Sequence, residues 1–245
     1  LSLATGTYTS TVYGINNAIG STAASNTVNI NNNIVQNCDF SGFTTGGFTA
    51  ILNAGSAATV NVNSNTVSNN IMAGTGTFTG IDGGSATNLN ITLNTVNGNQ
   101  KTGASGSMFL TRGSTAIVTY HSNNVYNNSF TASSGTSSCI IYGYYNFGSP
   151  TVENIYNNNI YDLSVAGTNT GTSSLLNGMH TNTTSTATKT IYGNNIYNFS
   201  ALSGNVNGIA QFLGTNVQIY KNNIYNLSNS TTVTTNATMC GITIS

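Results

Sequence analysis

The chain has 245 residues but only eight formally charged side chains, four basic and four acidic, and a net charge of zero, where about a quarter of an ordinary domain is charged. With no basic field to draw counterion-release energy from nucleic acid and no polybasic patch to hold an anionic bilayer, neither is expected as a partner. Thirteen Tyr, nine Phe and a single Pro, with frequent Ile and Val, exclude a disordered chain, which avoids aromatic and β-branched residues and carries net charge.

Leu1 to Thr11 shows neither a basic start nor a continuous apolar run, so no leader is read there, and an exported form would have lost it already. No stretch approaches the run of about 18 apolar residues that spans a bilayer, so membrane insertion is not expected. The cysteines Cys38, Cys139 and Cys240 are odd in number and widely spaced. They match no zinc spacing and are read as small buried hydrophobes.

From Ile30 onward the chain repeats itself. Copies of one nine-residue motif run from Ile30 to Cys38, Val62 to Asn70, Ile91 to Asn99, Tyr120 to Asn128, Ile155 to Leu163, Ile191 to Phe199 and Ile219 to Leu227. One column is asparagine in every copy: Asn33, Asn65, Asn94, Asn123, Asn158, Asn194 and Asn222, at spacings of 32, 29, 29, 35, 36 and 28 residues. The unit is therefore fixed and the connecting loops vary. Four positions on, the column reads Asn37, Asn69, Gly98, Asn127, Asp162, Asn198 and Asn226. These residue types enter the left-handed αL region at least cost, so a sharp bend is expected there in every copy.

Between these columns apolar residues follow period two, with Ile219 and Ile224 inward and Tyr220 and Tyr225 outward. A further short strand follows each loop, expected to open at glycine, as in Gly14-Ile15, Gly80-Ile81, Gly178-Met179, Gly208-Ile209 and Gly241-Ile242, with Gly47-Phe48 a looser case. Each repeat thus supplies three short strands, and no capped amphipathic stretch predicts a helix. Strands this short cannot bury a face alone, so the repeats must stack, each strand pairing in parallel with its counterpart one coil away. Equivalent residues then lie about 4.8 Å apart, where asparagine amides bond along the axis into a ladder. Like charges in such a column would repel, which accounts for the low charge.

The Asn-Asn-x-Tyr-Asn repeats resemble the parallel β-helix repeats of the pectate-lyase-like superfamily, in which an asparagine ladder occupies a tight turn, and most of all versions in large secreted surface proteins of Bacteroidetes-type bacteria. The resemblance covers about Gly14 to Ser245 and implies a single all-β domain over 1–245: a right-handed parallel β-helix of about seven coils, secreted or at the cell surface. Enzymes of that superfamily use clustered aspartates or acidic calcium ligands with a basic residue. Here Asp39 and Asp82 lie in separate coils, and only Glu153 and Asp162 share one. Asp162 is read as an Asn substitute at the bend and Glu153 as a solvated edge charge. His121 stands where other copies carry Tyr156, Tyr192 and Tyr220, so it is read as an outward surface residue, and His180 as a lone histidine. No catalytic residue, metal site or cofactor is expected.

Two tyrosine columns are candidate glycan-stacking residues: Tyr156, Tyr192 and Tyr220 in one, Tyr126, Tyr161, Tyr197 and Tyr225 in the other. The plainer reading is that the rings stack on each other and stiffen the surface. Leu1-Ser2-Leu3-Ala4-Thr5-Gly6 resembles Leu163-Ser164-Val165-Ala166-Gly167-Thr168, so the sequence starts part-way through a coil, and it stops after a third-type strand at Ile242 to Ser245. The expectation is a segment of a longer repeat protein, or a subunit whose ends are covered by further copies in a head-to-tail polymer. The function expected is that of an extracellular structural protein, a filament subunit or surface stalk. A carbohydrate-binding or adhesive module is the alternative, and a polysaccharide-degrading enzyme the minor one.

Overall fold

The computed structural model describes all residues except 1, 4, 22, 24, 115, 136–137, 147, 170–173, 183–185 and 231–237, and the side chains of 132–135 and 168–169 also lie outside the description. Among the described residues every regular element is a β-strand, as the period-two pattern of Ile, Val and Tyr dictates.

The strands form three parallel sheets. The first has eight, from Val12–Asn17 to Met239–Ile244, and the second seven, from Thr27–Asn31 to Asn216–Tyr220. The third has ten, running from Ile34–Gln36 to Asn223–Asn229 with the short strands Asp39–Phe40, Ile71–Met72 and Gln100–Gly103 alongside. Every pairing joins one repeat to the next, so Ile155 pairs with Ile191 and Ile191 with Ile219. The chain is a parallel β-solenoid. Each sheet lends inward columns to a shared core, among them Phe48, Phe78, Met108, Ile141, Leu176 and Val206 from the first, Val62, Ile91, Ile155 and Ile191 from the second, Val67, Val96, Val125, Ile160 and Ile196 from the third. All are fully buried, each worth about 1.5 to 3 kcal/mol of hydrophobic stabilisation.

The corner between the second and third sheets is built by the asparagine motif. The expected αL column is present, with φ between 52° and 65° at Asn37, Asn69, Gly98, Asn127, Asp162, Asn198 and Asn226. A second αL column, which the composition conceals, precedes the ladder: Asn32, Ser64, Leu93, Ser122, Asn157, Gly193 and Lys221. The two left-handed residues bracket a three-residue stretch of strand and turn the chain twice.

Between them the seven ladder asparagines stack in one line. Nδ2 of Asn33, Asn65, Asn94, Asn123, Asn158 and Asn194 donates to Oδ1 of the next at 2.8 to 3.0 Å. The same Oδ1 also accepts the backbone N–H of the preceding ladder residue, as Asn158 Oδ1 does from Asn123 at 3.0 Å. The buried amides of this ladder are thus bonded along the axis, which offsets the penalty of burying them. A second ladder, absent from the sequence reading, joins Asn70, Asn99 and Asn128 five positions further on. In later coils that column turns apolar at Leu163, Phe199 and Leu227, and the third-sheet strands there run through the bend, as in Asn159–Asn169.

Three expectations need correction. Gly14, Gly80, Gly178, Gly208 and Gly241 do not open their strands but sit at the third or fourth position inside them, and the first four lie against the backbone of the next coil: a Cβ on Gly178 would stand 2.6 Å from the Gly208 carbonyl. Cys38 and Cys139 are buried, whereas Cys240 is half-exposed, since it lies on the last strand of the first sheet, in the same column as Asn207. Glu153 is no edge charge, as shown below. The alignment of the first residues with Leu163 to Thr168 agrees with the register: Ser2 bridges Asp39 in the column that carries Ser129, Ser164 and Ser200. Leu1 and Ala4 lie outside the described residues.

Candidate functional site

The outer face of the first sheet carries an open depression. Its floor is set by register: Tyr13, Thr49, Thr79 and Phe109 form one column, and Leu52, Asp82 and Arg112 the column beside it. Together they line a cleft of about 430 Å³. The floor is polar at its centre, where Arg112 contacts Asp82 at 2.6 Å and lies 5.1 Å over the Phe109 ring.

Further along the same face the columns turn aromatic. Phe109 stacks on Tyr142 with centroids 5.3 Å apart and planes 9° apart, and Tyr142 and Tyr145 enclose His180 together with Phe212. His180 Nδ1 meets Asn177 Nδ2 at 3.0 Å. Burial, helped by the nearby Lys189 charge, pushes the imidazole down to about 4, so it stays neutral at physiological pH. Burial also pushes the Tyr142 phenol up to about 12, with Tyr145 adding to the effect. This patch presents apolar ring surface, amide groups and one ion pair, a set suited to binding a polar, uncharged ligand by stacking and hydrogen bonds.

The tyrosine columns stand on either side of the asparagine corner. Tyr126, Tyr161, Tyr197 and Tyr225 stack at 4.8 to 4.9 Å with planes within 4°. Tyr156, Tyr192 and Tyr220 stack at 5.1 Å, and His121 extends the row onto Tyr156 at 4.7 Å. His121 is thus the outward residue its repeat position predicts. Centroid separations above the contact distance of about 3.5 to 4 Å mean slipped rings, the offset arrangement aromatic quadrupoles favour. Within each row the ring faces cover one another.

The acids do not assemble. The Ser41 hydroxyl, and with it the Ser41 backbone N–H donating at 2.9 Å, holds the Asp39 carboxyl below its usual value. Asp82 pairs with Arg112, and Asp162 occupies its αL bend and accepts from Asn198 at 2.9 Å. Glu153 is buried inside the solenoid beside Lys189, because its strand turns that position inward, in the column of Val118. Register explains how charge survives stacking: Asp82 pairs with Arg112, and Glu153 with Lys189, one coil apart. Among the described residues no group of three or more His, Cys, Asp or Glu is placed to hold a metal ion.

Neither the cleft nor the aromatic patch was read from the sequence. The signal that could have found them is Phe109-x-x-Arg112 above Tyr142-x-x-Tyr145, aligned on the glycine-bearing strand rather than on the asparagine motif. No protein-family model, no curated protein and no solved structure matches the chain. The resemblance drawn from the repeats therefore stands at the level of the parallel β-solenoid fold.

Proposed function

We propose that this β-solenoid is a structural element of an extracellular protein, a stiff axial spacer acting as a filament subunit or surface stalk. The observation that supports it is axial continuity: the asparagine ladder and both tyrosine rows run coil to coil, each member bonded or stacked to the next. A strain applied along the axis is then shared among backbone ladders, amide ladders and ring stacks instead of concentrating in one loop. Electron microscopy of concentrated protein tests the reading, with rods or head-to-tail filaments expected. Dispersed particles that never associate, even fused in tandem, would overturn it.

A second reading, a glycan-binding surface module, is favoured by the cleft and aromatic patch of the first sheet. It moves the candidate contacts from the tyrosine rows, whose faces are covered, to Phe109, Tyr142 and Tyr145. Titration with neutral oligosaccharides should then shift the resonances of these three rings and leave Tyr161 and Tyr197 unmoved.

A further inference from the structure

The space between the second and first sheets holds a polar cluster that neither reading uses. Glu153 and Lys189 are register partners on the second sheet, and Thr181 and Gln211 on the first. None of the four is more than 1% exposed. Lys189 Nζ lies 3.1 Å from Gln211 Oε1, 3.1 Å from Thr181 Oγ1 and 2.9 Å from the Phe212 carbonyl. The Thr181 hydroxyl donates to the same Gln211 Oε1, and Gln211 Nε2 donates to the Leu213 carbonyl. Glu153 Oε1 accepts from the Tyr144 hydroxyl at 2.8 Å and from Asn146 Nδ2 at 2.9 Å. Its other oxygen, Oε2, is buried without a hydrogen-bond partner among the described residues and stands 3.9 Å from Lys189 Nζ.

A purely structural ion pair is poorly served by this layout. Charge-assisted contacts close to about 2.7 to 2.9 Å, whereas here the amine leans toward an amide and a hydroxyl and leaves a carboxylate oxygen orphaned. As parts of an acyl transfer the same groups have clear places. An amine beside an unpartnered carboxylate oxygen is a nucleophile with its base. An amide oxygen that already accepts from a hydroxyl is an electrophile whose developing negative charge is provided for.

We propose that Lys189 and Gln211 join in an intramolecular isopeptide bond, with Glu153 carrying the proton and the Thr181 hydroxyl holding the oxyanion. Nζ passes a proton to Glu153 Oε2, and its freed lone pair attacks Gln211 Cδ. The negative charge gathers on Oε1, opposite Thr181 Oγ1. As the tetrahedral centre collapses, Glu153 relays that proton and then a second Nζ proton to Nε2, the Cδ–Nε2 bond breaks, and the nitrogen leaves as ammonium. Lysine ammonium plus glutamine carboxamide become a secondary amide plus ammonium, a net loss of ammonia from the neutral chain, and Glu153 ends as it began. No oxidant or cofactor enters. Burial favours the neutral partners that the first step requires: it pulls Lys189 down to about 8 against the opposing Glu153 charge, and it pushes Glu153 up against Lys189, Tyr144 and Asn146. The bond would tie strand Thr188–Tyr192 of the second sheet to strand Asn205–Phe212 of the first, inside a core that keeps water from reversing it.

Intact-mass measurement of the purified full chain tests this directly. The expected mass is lower than the sequence mass by one ammonia, and proteolysis should release one branched peptide joining Lys189 to Gln211. Glu153→Gln, which keeps the shape but removes the proton carrier, should restore the unmodified mass. Wild-type protein at the full sequence mass after prolonged incubation overturns the proposal, as does a deficit that maps to any other pair, such as Lys189 with Asn146. If Glu153→Gln does not fold, the wild-type mass and the branched peptide decide alone.

Discussion

Asn158 Nδ2 donates to Asn194 Oδ1 at 2.9 Å although 36 residues separate the two. The bond is one rung of a ladder in which Asn158 also receives the backbone N–H and Nδ2 of Asn123 and donates to the Tyr120 carbonyl. Replacing it by Leu strands donors on one side and an acceptor on the other. We predict that Asn158→Leu lowers the unfolding free energy by about 3 kcal/mol or more, each orphaned buried group costing about 1 to 3 kcal/mol. A denaturant midpoint equal to wild type would contradict a buried, load-sharing ladder.

Leu93 presents the opposite case. It holds φ at 58° with its side chain 56% exposed, so it bears the αL penalty of about 1 to 2 kcal/mol with little burial to offset it. Leu93→Gly should raise stability by about 1 kcal/mol, read as a higher urea midpoint with unchanged slope. A fall would show that the leucine is held by contacts the geometry does not reveal.

Lys101 gives the stability a pH dependence. Its Nζ donates to the Gly74 carbonyl and lies 4.9 Å over the Phe130 ring, and burial, opposed by Cys139, pulls it from 10.5 down to about 8. Below about pH 8 folded and unfolded chains both hold this proton. Between that point and 10.5 the unfolded chain holds a proton the folded chain has released, so stability rises with pH. The gain is on the order of 1 to 3 kcal/mol. Near pH 10 the trend reverses, because the buried phenols of Tyr120 and Tyr144 are pushed up by burial and keep protons the unfolded chain loses. Urea midpoints at pH 7, 8 and 9.5 should climb in wild type and climb less steeply in Lys101→Met, where only Lys189, also drawn down to about 8, contributes a lysine share.

Tyr197 stacks on Tyr161 at 4.8 Å and on Tyr225 at 4.9 Å. Tyr197→Ala breaks both contacts and should cost about 1 to 3 kcal/mol at about 0.5 to 1.5 per aromatic pair, together with loss of near-UV circular dichroism. Tyr197→Phe keeps the ring and should retain both. Equal effects from the two substitutions would place the hydroxyl, not the stacking, in charge.

What the sequence determined by itself is whatever a one-dimensional stack repeats. The column from Asn33 to Asn222, the αL bend from Asn37 to Asn226 and the tyrosine rows were legible because parallel in-register pairing sets each residue above its own copy, so periodicity along the chain is position along the axis. The first-sheet strands were read less well, since loops of varying length separate them from the motif and the glycine-bearing strand departs from simple alternation: Ala50 and Ile51 are both buried side by side. That shift decided which residues line the cleft. Only the tertiary structure could show that Glu153 faces inward to Lys189, that Lys189 reaches Gln211 on another sheet, or that Arg112 meets Asp82. Those contacts depend on the register between sheets and on the direction of single side chains, and neither repeats from coil to coil.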